Sequence, residues 1–142
     1  MIRPWLILLT LTGCGILGSG APLLNDRRPN GRVCVNGSFD GTGDINGIAY
    51  VISNTEAGQW FLYLENLNLP ESNLFFELDV SNPSAVLARR QVIGTTGNKT
   101  FTIPTPEPGQ QFVQVRTLRA STIAGQSIST ASFGIDQCQT NP

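Results

Sequence analysis

The segments Trp60-Phe61-Leu62-Tyr63-Leu64 and Leu74-Phe75-Phe76-Glu77-Leu78-Asp79-Val80 decide the fold class. In the first, Trp60, Leu62 and Leu64 alternate against Phe61 and Tyr63. In the second, Leu74, Phe76, Leu78 and Val80 alternate against Phe75, Glu77 and Asp79. A period of two sends alternate side chains to opposite faces of an extended strand, so each segment offers one apolar face to a core. The flanking chain repeats the signal. Ile48 to Ile52 is an apolar run bounded by Asn46-Gly47 and Asn54. Thr100-Phe101-Thr102-Ile103 stops at Pro104, which has no amide proton to continue a ladder. Val113, Val115 and Thr117 share one face, as do Ala131, Phe133 and Ile135, and Val86-Leu87 and Val92-Ile93 add two short segments. Residues 84–90 are read as strand rather than as a helical turn after Pro83. Gly, Pro, Asn and Ser clusters separate the segments, and no window sustains a helical stripe. About seven to nine short strands at this spacing predict an all-β fold, either an antiparallel β-sandwich or a small β-barrel.

The chain has 142 residues, room for one domain, with 40% apolar and 13% charged residues. Nine Lys and Arg against ten Asp and Glu leave a net charge of -1, which gives no electrostatic footprint for DNA or RNA. There is no histidine. That absence removes the commonest general base, the commonest transition-metal ligand and the His-dependent forms of nucleophilic catalysis.

The amino terminus reads Met1-Ile2-Arg3-Pro4-Trp5-Leu6-Ile7-Leu8-Leu9-Thr10-Leu11-Thr12-Gly13-Cys14. One positive charge precedes an apolar run too short to span a bilayer, and small residues follow, which is the pattern of a secretory signal. Its end, Leu11-Thr12-Gly13-Cys14, resembles the lipobox of bacterial lipoproteins. The resemblance implies a signal peptide over residues 1–13, removed so that Cys14 becomes the amino terminus. Cys14 would carry a diacylglyceryl group and usually a third acyl chain, such as palmitate, on its amine. Two or more chains anchor stably, at about 0.8 kcal/mol per buried methylene. Gly15 stands where an Asp typically retains such lipoproteins at the inner membrane, which points to the outer membrane in a two-membrane cell. Residues 14–32 mix Gly, Pro, Asn and charge without apolar period and are expected to form a flexible tether, with Arg27, Arg28 and Arg32 solvated or near anionic headgroups. The β domain is placed at residues 33–139, with a tail at 140–142.

With Cys14 acylated, two thiols remain, Cys34 and Cys138, and one pairing is available. A disulfide there would tie the first strand of the domain to the last and close a long loop, worth up to nearly 5 kcal/mol in the chain-entropy model. A redox-active dithiol lacks the C-x-x-C spacing that lowers a thiol pKa. Free thiols are the other alternative.

Several polar groups could carry chemistry. Asp40, Asp44 and Asn46 place oxygens at alternate positions as calcium loops do. The loop has Ile45 and Val51 where a calcium-binding EF-hand loop needs Gly and Glu, so a glycine-rich connection satisfying local amides is the simpler reading. Glu77 and Asp79 lie two apart on one strand face, a separation of about 7 Å that an inverting glycosidase could use. Arg89, Arg90, Arg116 and Arg119 are the main basic positions, suited to surface ion pairs or to an anionic partner. Phe61, Tyr63 and Phe75 form the alternate aromatic set, which belongs to a second packed layer or to an exposed patch for protein or glycan contact. No cofactor is expected. The chain offers no His, no Cys beyond the pair and no Met after processing as a soft ligand.

The order of features from Gly37 to Phe133 resembles the electron-transfer DM-thirteen domain, found on bacterial lipoproteins and animal extracellular proteins. Gly37-Ser38-Phe39-Asp40, Gly47-Ile48-Ala49-Tyr50-Val51, Leu62-Tyr63-Leu64-Glu65-Asn66-Leu67 and Leu74-Phe75-Phe76-Glu77-Leu78 carry it. So do Gly94-Thr95-Thr96-Gly97-Asn98-Lys99-Thr100-Phe101-Thr102-Ile103-Pro104 and Ala131-Ser132-Phe133. That family typically has a cysteine after the penultimate strand's valines, whereas Val113-Gln114-Val115-Arg116-Thr117-Leu118 has none, and its Gly-Pro-Asp is replaced by Pro70-Glu71-Ser72-Asn73. Electron transfer is therefore not carried over. The resulting expectation is a lipid-anchored extracytoplasmic binding or structural module at the bacterial cell envelope, meeting an envelope protein or glycan. The alternatives are a carboxylate-based hydrolase using Glu77, Asp79 or Glu71, and a redox-associated domain that has lost its cysteine.

Overall fold

Each apolar alternation becomes a strand. The computed structural model describes residues 23–121 and 126–138. In chain order the strands are β1 (Leu23–Asn25), β2 (Arg32–Ser38), β3 (Asn46–Asn54), β4 (Gln59–Asn68), β5 (Leu74–Ser81), β6 (Ala85–Val92), β7 (Thr96–Ile103), β8 (Gln111–Leu118) and β9 (Ser129–Ser132). A single 3-10 turn (Thr42–Asp44) lies between β2 and β3. They form a five-stranded sheet, β1-β7-β4-β3-β2, and a four-stranded sheet, β9-β8-β5-β6. β1 runs parallel to β7 and every other pair is antiparallel. Between the sheets' edges there is one isolated bridge, Phe39 to Ala131. This is the expected sandwich and not a closed barrel.

The inner faces follow the alternation. Ala49, Val51, Leu62 and Leu64 pack toward Phe76, Leu78 and Val115, all fully buried. Each such side chain contributes about 1.5–3 kcal/mol of burial. Aromatic contacts join the layers, with Trp60 and Phe112 ring centroids 5.6 Å apart and Phe39 and Phe76 edge-to-face at 5.7 Å.

Local departures have identifiable causes. Val86-Leu87 and Val92-Ile93 do not form separate strands, because Ala88, Arg89 and Arg90 between them pair with Leu78, Glu77 and Phe76 to make one strand. Val113 does not share the buried face of Val115 and Thr117. The β5–β8 register shifts so that Val80 pairs with Phe112 and Asp79 with Gln114, leaving Val113 as an extra residue turned outward. Ile135 is exposed because β9 ends at Ser132 and the chain leaves the ladder. Cys34 is also a bulged residue, between Val33 paired with Ile52 and Val35 paired with Val51. The bulge turns its sulfur out of the ladder toward Cys138, to which it is bonded. Because β1 precedes Cys34, the disulfide ties the second strand to the segment after the last, rather than the first strand to the last.

Residues 23–31 lie within the stretch expected to be a free tether, but are built into the fold. β1 and β2 sit at opposite edges of the five-stranded sheet, so residues 26–31 must cross its outer face. Register places Thr100, Tyr63 and Tyr50 in one row across that face, with Phe61 beside Ile52 in the next. The crossing strap follows the row. Thr100 donates its amide to Asp26 Oδ2 (2.8 Å) and its hydroxyl to the Arg27 carbonyl (2.9 Å). The Arg28 guanidinium lies 4.8 Å from the Tyr50 ring centroid. Gly31, at φ +142, approaches Ile52 and the Ser53 carbonyl so closely that a Cβ would collide with both. Underneath, Ile52 is fully buried and Tyr63 is 2% exposed. Burial is the main cause raising both phenol pKa values above their ordinary value, reinforced by Glu65, whose carboxylate accepts from both hydroxyls.

The strap makes a testable contribution. Asp26→Ala removes the acceptor of the Thr100 amide and the partner of Lys99 at 3.5 Å. It is expected to cost about 1–3 kcal/mol, read as a lower urea midpoint with an unchanged m-value. An unchanged midpoint would show that the strap is not fastened there.

Candidate functional site

The outer face of the four-stranded sheet exposes Val86, Val113 and Arg89. Its side chains come from alternation in β5, β6 and β8. Phe75, Glu77 and Asp79 point outward because Phe76, Leu78 and Val80 point in, and register sets Glu77 between Arg116 and Arg89. Glu77 Oε1 accepts from Arg116 Nη2 at 2.8 Å and Oε2 from Arg89 Nη1 at 2.7 Å. In the adjacent row Asp79 Oδ2 accepts from Gln114 Nε2 at 2.9 Å and lies 2.7 Å from Arg116 Nε, while Oδ1 accepts from Arg116 Nη2 at 3.3 Å. The Arg116, Glu77 and Asp79 side chains are only 11–16% exposed, so their charge-assisted bonds are worth more than a surface pair. Arg89 is different: its side chain is 44% exposed and its guanidinium stacks 4.4 Å from the Phe75 ring centroid. The face therefore submerges its acids together with Arg116 and presents the tip of Arg89.

At one end of the ladder lies a shallow depression of about 370 Å³, lined by Asp79, Ser84, Val86, Val113, Gln114 and Arg116. Val86 is 47% and Val113 40% exposed, two apolar contacts beside an amide and a neutralised ion pair. A second hollow of about 420 Å³ lies where the strap enters β2, lined by polar groups including Asn30, Arg32, Ser53, Asn54 and Glu56.

The sequence-predicted residues distribute unevenly around this geometry. Phe75 and Arg89 are brought together on the open face. Tyr63 lies under the strap and Phe61 is half-buried on that covered face, so the three aromatics do not form one patch. Arg90 turns to the sandwich rim, donating from Nη1 to the Arg89 carbonyl at 2.9 Å and from Nη2 to the Thr102 carbonyl at 3.0 Å. Glu77 and Asp79 have every carboxylate oxygen engaged by arginine or Gln114, and Glu71 accepts from Arg119 at 2.7 Å. Cys14 lies outside the described residues.

Cys34 and Cys138 are disulfide-bonded with Cα atoms 5.0 Å apart. Asp136 sits beside them, nearly buried, accepting from the Cys138 amide at 2.8 Å and the Phe112 amide at 3.5 Å. Cys34, Asp136 and Cys138 are the cluster of three potential metal-ligand groups among the described residues. Its sulfurs are bonded to each other, so neither offers a thiolate. In the proposed calcium loop, Asp40 Oδ1 accepts from the Thr42 amide at 2.9 Å and the Ser129 hydroxyl at 2.7 Å, tying the turn after β2 to β9. Asp44 is exposed in the 3-10 turn at φ 61, and Asn46 is exposed at the start of β3. Asp40 thus bonds both the local backbone at Thr42 and the Ser129 side chain of β9.

The sequence reading missed Val113, Val86 and Gln114 on the open face, and Asp136. Asp136 had one signal, its place two residues before Cys138. The outward turn of Val113 depends on a bulge that leaves none. No family model, curated protein or solved structure matches the chain.

The Ser129 hydroxyl, followed by the Thr42 amide, lowers the pKa of Asp40 below its ordinary value. A lowered folded-state pKa gives stability that is present above the unfolded value, near 3.9, and is lost as pH falls through the folded one. Ser129→Ala is expected to move the Asp40 carboxyl titration, followed by NMR, back toward about 3.9. An unshifted midpoint would remove this hydrogen bond from the account.

Proposed function

We propose that the chain is a lipid-anchored extracytoplasmic β-sandwich module that binds a partner at the bacterial cell envelope through the open face of its four-stranded sheet. The observation that carries this reading is the Cys34–Cys138 disulfide, which closes a sequence separation of 104 residues. Such a staple suits an oxidising compartment, and loops of that length gain about 4.7 kcal/mol in the chain-entropy model. It leaves Cys14, at the end of Leu11-Thr12-Gly13-Cys14, as the remaining cysteine for acylation. The outer membrane is the expected site in a two-membrane cell. Resemblance to the electron-transfer DM-thirteen domain supports an exported β domain and not its redox chemistry, because β8 lacks the cysteine.

Binding rather than catalysis is supported by the ladder. Ion pairs among Glu77, Asp79, Arg89 and Arg116, with the Arg89 guanidinium stacked on Phe75, make a preorganised surface, and loss of side-chain freedom on association is correspondingly small. Partner choice would lie with an envelope protein or glycan that meets the exposed arginine tip, the amides and the two valines.

Mass spectrometry of protein extracted from membranes, intact and after non-reducing digestion, tests the reading. The expected result is a chain that starts at a diacylglyceryl-modified Cys14, with Cys34 and Cys138 in one linked peptide. A chain retaining Met1, or an unmodified Cys14, would overturn it.

A further inference from the structure

Strand edges are the places where a β-sandwich accepts foreign backbone, and in this chain they are unequally guarded. Beyond the short β1, the free edge of β7 is held by Asp26 at the Thr100 amide and by Arg90 at the Thr102 carbonyl. Along β2 and β9 the edges meet through the Phe39–Ala131 bridge, the Asp40 amide on the Thr130 carbonyl and the Gln137 amide on the Cys34 carbonyl. β6 ends the four-stranded sheet, and among the described residues no strand pairs with its outer side. It has two light guards. Leu87 is an extra residue between the Val86–Asp79 and Ala88–Leu78 pairs, and Arg90 Nη1 occupies the Arg89 carbonyl.

The charge on this edge is one-sided. Residues 82–93 contain Arg89 and Arg90 and no acidic residue. Arg89 gives one nitrogen to Glu77 while stacked on Phe75, so its fork is oriented and its tip faces solvent. Val86 and Ile93, 47% and 54% exposed, flank the arginines with apolar surface. A second copy paired antiparallel about the Arg89–Arg90 step would set each Arg89 opposite an Arg90, which opposes self-association in that register. An extended segment with acidic side chains meets the opposite condition.

We propose that β6 is a strand-addition edge for an extended acidic segment of a partner protein, steered by Arg89 and displacing Arg90 from the edge carbonyl it plugs. Main-chain hydrogen bonds supply the pairing, and cross-strand contact with the arginines selects the charge. This rests on the reading of the chain as a binding module and narrows the partner to protein.

The probe is a synthetic eight-residue peptide alternating Val and Glu, titrated into the purified full chain. Controls are the same peptide with Lys for Glu, and one N-methylated at alternate amides. Saturable binding is expected for the acidic peptide, weakened about tenfold or more by either change. Arg89→Gln is expected to weaken it severalfold with the fold intact by thermal unfolding, while Arg90→Ala, which unplugs the edge, binds at least as tightly as the parent. Equal binding of acidic and basic peptides, insensitivity to N-methylation, dimerisation through β6, or no binding by either the parent or Arg90→Ala would each overturn the proposal. The titration does not depend on acylation of Cys14, so its failure is separate from failure of the anchored reading.

Discussion

An apolar sheet has two faces, and in this chain the outer face of the five-stranded sheet cannot be left to water. Tyr50, Ile52, Phe61 and Tyr63 share it, and covering them is what draws residues 26–31 across from β7 to β2. The cover is fastened by specific groups rather than by bulk: Asp26 and the Arg27 carbonyl on Thr100, the Arg28 guanidinium over Tyr50, and Gly31 against Ile52. Only glycine, with no Cβ, can make that last approach at positive φ. The polar ladder stands on the outer face of the other sheet.

Specific fastening also holds the segment after β9. The Cys34 bulge directs a sulfur off the ladder, Asp136 holds the Cys138 amide, and the Gln137 amide pairs with the Cys34 carbonyl. Backbone bonds and a covalent one thus fasten the same short segment against β2. Residues 26–31 and 136–138 are both fastened to the five-stranded sheet, whereas β5, β6 and β8 carry the ladder of Glu77, Asp79, Arg89 and Arg116. Arg89 and Val113 lie on the other sheet from the strap, and neither contributes to the contacts that fasten it.

The strands were legible because burial imposes a period of two that composition cannot hide. Trp60 to Leu64 and Leu74 to Val80 read directly as two faces. The disulfide was legible by elimination once the lipobox resemblance claimed Cys14. Tyr63 was placed on its correct face, but alternation reports the face and not what lies above it. The strap has no apolar period, and its anchor joins Asp26 to Thr100, a contact 74 residues apart that no local pattern encodes. Glu77, Asp79, Arg89 and Arg116 were all visible as polar residues. Ion pairing of the arginines with sheet-surface acids was expected, but which acid meets which arginine was not legible, because it depends on strand register, and the register is altered by bulges at Leu87 and Val113.

The central claim is an asymmetry between the outer faces: one lies under the strap, and the other exposes Val86, Val113 and Arg89. Hydroxyl-radical footprinting of the native full chain, with oxidation located residue by residue, tests it most directly. The account predicts rapid labelling at Val86 and Val113, and protection of Ile52 and Tyr63 until the chain is unfolded. Labelling of Ile52 and Tyr63 at the rate of Val86 and Val113 would contradict it.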